Sequence, residues 1–155
     1  MLQRIQTVYL LAIVILSGIT FFSPLAELIN QSTGLVYVLD FKGLYLVQAK
    51  GNVYQSGIWD VNAVAAIIPL LALCTIFLYK KRMVQIRLSV INMFLMVGYY
   101  ILLFVNLWMA GRNLSADWSL KIASIFPVIC IILNYLAIGG IGKDEALVKS
   151  MDRIR

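Results

Sequence analysis

The 155-residue chain has no histidine. That removes imidazole-ligated haem, His-based zinc sites and a Ser-His-Asp triad in one step. Acid is scarce as well, with seven Asp and Glu in all. Four of them, Glu27, Asp40, Asp60 and Asp117, lie in two connecting segments without any paired spacing, where capping and solvation account for them better than acid–base catalysis. There are two cysteines, Cys74 and Cys130, each inside an apolar run. A thiol there behaves as a small hydrophobe, and no disulfide framework is indicated. No Walker loop is present, and no G-x-G-x-x-G opens a helix after a strand. The expectation is a chain with no catalytic residues, no cofactor and no metal.

Charge of either sign is absent over four long intervals, Ile5–Ala26, Val61–Tyr79, Leu88–Gly111 and Ile122–Gly142. Apolar residues make up 62% of the chain and its mean hydropathy is +0.91. Each interval meets the roughly 20 residues that a helix needs to cross a hydrocarbon core. None alternates as a barrel strand would. The predicted class is therefore all-α and integral to a membrane. It is a four-transmembrane-helix bundle in one domain, with spans near 5–26, 61–79, 88–110 and 122–141. Arg4 precedes the first run as in a signal peptide, but Phe21, Phe22, Ser23, Pro24 and Leu25 offer no small-x-small cleavage site, so this run reads as a retained anchor.

The net charge of +6 is informative through its placement. Arg4, Lys80, Lys81, Arg82, Arg87, Lys143, Lys149, Arg153 and Arg155 fall on one side of the spans, and Lys42, Lys50, Arg112 and Lys121 on the other. The positive-inside rule puts both termini and the Lys80–Arg87 segment in the cytoplasm. Membrane lipids are then the expected surroundings, and nucleic acid is not an expected partner.

Between the first two runs, Leu35, Tyr37, Leu39 and Phe41 alternate with Val36, Val38, Asp40 and Lys42. That period of two predicts two or three short strands over 34–56, a small antiparallel β-sheet on the outer face. Asp60 or Asn62 is expected to cap the second helix, Pro69 to kink it, and Pro127 to bend the fourth. The segment "GRNLSADWSL" reads as a short loop joining the third and fourth helices. Gly139, Gly140 and Gly142 suggest a helix end, with a close backbone approach or bend as alternatives.

Three asparagines, Asn92, Asn106 and Asn134, lie within apolar runs. At such depth a carboxamide normally bonds to a neighbouring helix. Interhelical polar contacts are favoured over the alternative, a ligand cavity lined by three amides. After Gly142, "KDEALVKSMDRIR" places Asp144 and Glu145 at a helix start and Arg153 and Arg155 at its end, matching the macrodipole. Leu147, Val148, Met151 and Ile154 share one face, so the tail reads as a cytoplasmic C-terminal amphipathic helix whose stripe packs on the protein itself or docks a partner. Arg4 or Arg87, paired with Asp144 or Glu145, is expected to form a polar layer on that side.

The start "MLQRIQTVYLL", the centre "KKRMVQIRLSVINM" and the end "ILNYLAIGGIGKDEALVKSMDRIR" together resemble an uncharacterised inner-membrane family of Bacteroidota, domain-of-unknown-function family 4293. The resemblance implies four transmembrane helices in a bacterial cytoplasmic membrane and supplies no activity. Among function classes, a non-enzymatic accessory subunit or assembly factor of a larger inner-membrane complex ranks first, with other integral membrane subunits as partners. A small homo-oligomeric transporter or channel is the alternative, followed by a lipid-binding membrane protein. Proton or cation coupling is disfavoured by the lack of ionisable groups in the spans.

Overall fold

The computed structural model describes residues 3–48, 51–78 and 81–152, and leaves aside the side chains of 3, 4, 147–149, 151 and 152. Four helices carry the chain: α1 (Gln3–Phe22), α2 (Trp59–Phe77), α3 (Arg82–Leu114) and α4 (Phe126–Asp152). All four are long and apolar enough to cross a membrane. Helix α1 packs on α2 and α4, α2 on α3, and α3 on α4, which closes a ring. Only a minority of the residues in each apolar stretch is buried. Phe22, Phe77, Phe94 and Ile101 are among the large side chains left on the outside. Such a surface suits hydrocarbon, where helix association rests on packing and interhelical hydrogen bonds, since lipid is as apolar as the interior.

Pro69 lies inside α2, which continues past it as one helix. Pro127 is the second residue of α4 and follows a 3-10 turn, Ile122–Ile125. There its missing N–H is one that a helix start leaves unpaired anyway, so it begins α4 where the sequence suggested a bend. The expected cap of α2 is also replaced. Ile58 occupies the cap position without a side-chain bond, Asn62 Nδ2 donates to the Phe41 carbonyl, and Asp60 sits in the first turn, a favourable place for an acid. The glycines near the end of α4 do not stop it. The helix runs through them, and Gly140 is where α1 comes close: a Cβ there would lie 3.1 Å from Gln6 Cγ.

Five short strands follow the helix ends: β1 (Ala26–Ile29), β2 (Val36–Asp40), β3 (Gly43–Leu46), β4 (Val53–Ser56) and β5 (Asp117–Leu120). They form one antiparallel sheet in the order β4-β3-β2-β1-β5. The sequence pattern anticipated two or three strands in the first connection. Three fall within 34–56, as expected; β1 lies ahead of that stretch, and the segment read as a plain loop after α3 supplies the fifth. Ala26, Leu28, Tyr37, Leu39, Leu44 and Leu46 make one face of the sheet, and all are buried. The α1–α2 and α3–α4 connections therefore meet at one pole of the bundle. The α2–α3 connection lies at the other, beside the start of α1 and the far end of α4.

The β2–β3 hairpin turns on Phe41 and Lys42, with the Lys42 amide bonded to Asp40 Oδ1 at 2.7 Å. Gly43 leaves this turn with φ of +135°, a conformation that favours glycine. A side chain there would also strike the Ser56 carbonyl oxygen, 2.4 Å from an ideal Cβ.

Candidate functional site

The three asparagines do not share a cavity. Asn92 and Asn134 are fully buried between α3 and α4, where Asn134 Nδ2 donates to the Ser89 carbonyl at 2.9 Å. The Ser89 hydroxyl and the carboxamide oxygens of Asn92 and Asn134 find no protein partner. Asn106 stands fourteen residues beyond Asn92 on the same helix, about 21 Å further along it at 1.5 Å per residue. It is half-buried, and its Nδ2 donates to Asp60 Oδ2 at 2.7 Å and to the Leu102 carbonyl at 3.0 Å. Asn134 thus joins two helices, as an interhelical contact should. Asn106 ties the start of α2 to α3 near the sheet. The helices enclose a void of about 20 Å³ beside Ser17, Thr20, Tyr99 and Cys130, room for about one water.

At the charged pole, a polar layer forms around Asp144, one of the expected members. Gln6 Nε2 donates to Asp144 Oδ2 at 2.8 Å, and Arg82 Nη1 to the Asp144 carbonyl at 3.2 Å. Gln85 Nε2 donates to the Thr75 carbonyl at 2.9 Å, closing the α2–α3 connection. Arg87 is exposed and makes no ion pair with Asp144 or Glu145 among the described residues. Gly140 lets Gln6 lie against α4, which brings its amide to the Asp144 carboxylate. The Arg4 side chain, the stripe side chains Leu147, Val148 and Met151, and all of Ile154 lie outside the described residues. Helix α4 runs unbroken from the apolar stretch into this charged segment.

A concavity with polar and apolar lining lies at the sheet pole. A cleft of about 300 Å³ opens between the β2–β4 end of the sheet and the last turns of α3. Its apolar floor includes Leu39, Leu44, Ile58 and Met109. Gln55, Ser56, Asn106 and Asn113 add polar groups that both donate and accept. Among the described residues, no ionisable side chain lines it. The nearby Tyr45 phenol is pushed above its ordinary value, first by desolvation and then by Asp40 and Tyr54, so it stays protonated and is no general base. Among the described residues, no three of His, Cys, Asp and Glu converge on a common point.

The edges of the sheet differ. β5 carries Asp117, which accepts from Gln31 Nε2 at 2.6 Å, and it is followed by Lys121, which is ion-paired to Glu27. Both edge strands expose every residue, but β4 reads Val53-Tyr54-Gln55-Ser56 and has no charge and no proline. The sequence hinted at this only through the uncharged run after Gly51. Neither the cleft nor the fifth strand was legible there.

A search of the curated proteins finds no match. The family model described as "Domain of unknown function (DUF4293)" matches residues 2–154. With the match spanning nearly the whole chain, helices and sheet alike, this protein belongs to that uncharacterised domain family.

Proposed function

We propose that this protein is a non-enzymatic accessory subunit or assembly factor of a larger complex in the bacterial inner membrane. Its termini and the Lys80–Arg87 segment face the cytoplasm in this reading, following the nine-to-four division of basic residues. The sheet then faces outward. The observation that carries the reading is the bare β4 edge, where Val53 is 45% and Tyr54 53% exposed. Native sheets protect such an edge with charge or proline, or use it to pair with another chain. Here β5 carries an acid and is followed by a lysine, while β4 has neither charge nor proline.

The test is the mass and subunit composition of the native particle, tagged at its natural level and extracted in mild detergent. Stoichiometric unrelated membrane subunits are expected. A lone monomer or a homo-oligomer overturns the reading and favours a transporter or channel.

A further inference from the structure

We propose, building on the accessory-subunit reading, that the cleft between β4 and α3 seats an apolar side chain from an uncharged, extended segment of the partner polypeptide. Three observations converge on this occupant. The first is a bulge. Tyr45 pairs with Tyr54 but Leu44 pairs with Ser56, so Gln55 is an extra residue on β4. In an unbroken strand Gln55 and Ser56 would face opposite sides of the sheet. Here both line the cleft. Bulges commonly re-aim a side chain in this way at sheet edges and beside sites.

The second is the chemistry of the lining. Carboxamides and a hydroxyl match the alternating N–H and C=O groups of a peptide, while the leucine floor accepts an aliphatic or aromatic side chain. An anionic lipid head group would find no cation among the described residues of the lining. A volume of about 300 Å³ is at the small end for ligand sites, nearer to one large side chain than to a whole lipid.

The third is register. Leu39, Leu44 and Ser56 pair in succession across β2, β3 and β4, and all three line the cleft. A strand added to the open edge of β4 continues that row and brings its own side chain to the cleft mouth.

The experiment places a photo-crosslinking amino acid at Gln55, at Asn113 and, as a control on the opposite edge, at Ser119, in the full-length protein in its native membrane. The expected result is an adduct from Gln55 and Asn113, not Ser119, with the same subunit that co-purifies stoichiometrically. Ala110→Trp, which fills the cleft, should lower that co-purification at least tenfold. Asn113→Arg, an exposed position with no role in packing, should do so with an unchanged thermal transition. If the subunit co-purifies but Gln55 and Asn113 yield only lipid adducts, or Asn113→Arg leaves co-purification intact, the cleft assignment is overturned and the accessory reading stands. A particle without other subunits overturns both.

Discussion

The two poles of this bundle are tied by different kinds of bond. At the sheet pole, backbone ladders join the α1–α2 connection to the α3–α4 connection, with Ala26 opposite Leu120 and Ile29 opposite Asp117. The Lys121 amide adds a bond to the Leu25 carbonyl at 3.0 Å, and Asn30 Nδ2 reaches the otherwise orphaned Leu114 carbonyl at the end of α3. At the charged pole the ties are single side chains: Gln6, Arg82 and Gln85 each donate across an element boundary. A ladder tolerates many side chains provided the backbone path is open. A side-chain tie depends on one residue type. The most damaging changes at the sheet pole should therefore be backbone changes, and those at the charged pole should be deletions of named polar groups.

Gly43→Val tests the first half of that contrast. The valine must adopt a φ that suits glycine, and its Cβ would fall on the Ser56 carbonyl. The expected loss is about 3 kcal/mol in reversible unfolding in detergent, from strain and from the release of β4. A loss below about 1 kcal/mol would mean that β4 contributes little to the sheet pole. Gln6→Leu tests the second half. Gln6 is buried and donates to a carboxylate, so its removal should cost about 2 kcal/mol. Replacing the exposed, unpaired Arg87 by Leu should cost less than about 0.5 kcal/mol. Equal losses for the two would mean that Arg87 carries as much of the polar layer as Gln6.

The four long helices were legible because each charge-free interval meets the length that a bilayer demands. β2 to β4 were legible through the alternation around Tyr37 and Leu39; β1 was not. β5 was not, since four residues, Asp117 to Leu120, are too few to establish a period. Its pairing is with β1, about ninety residues away in the chain, a contact no local pattern reports. The bond from Gln6 to Asp144 was hidden for a related reason: opposite charges drew the eye to arginines, while the close approach at Gly140 that admits Gln6 leaves no local signature. Asn134 was legible as a helix contact, because a carboxamide deep in an apolar run has few other uses.

That contact sits between the poles and should matter less than either. Asn134→Ala removes the bond to the Ser89 carbonyl, which keeps its place in α3, so the expected loss is about 1 kcal/mol. A loss above about 3 kcal/mol would show that the Ser89–Asn92–Asn134 cluster, with its three unpartnered polar atoms, acts as one unit.

The smallest effect belongs to Lys121→Met, and it bears most directly on the contrast between ladders and side chains. Lys121 and Glu27 form an ion pair across the β1–β5 seam, with side chains 40% and 30% exposed. Water and salt screen a pair in that position, so it contributes less than about 1 kcal/mol, and high salt should erase the difference from the parent chain. The β1–β5 ladder and the Lys121 amide bond remain in the variant, because a methionine backbone supplies the same donor. Thermal unfolding of both proteins at low and high salt decides the matter. A loss above about 2 kcal/mol that persists in high salt would mean that β5 is pinned by this side chain. The sheet pole would then be built like the charged pole, one named residue at a time.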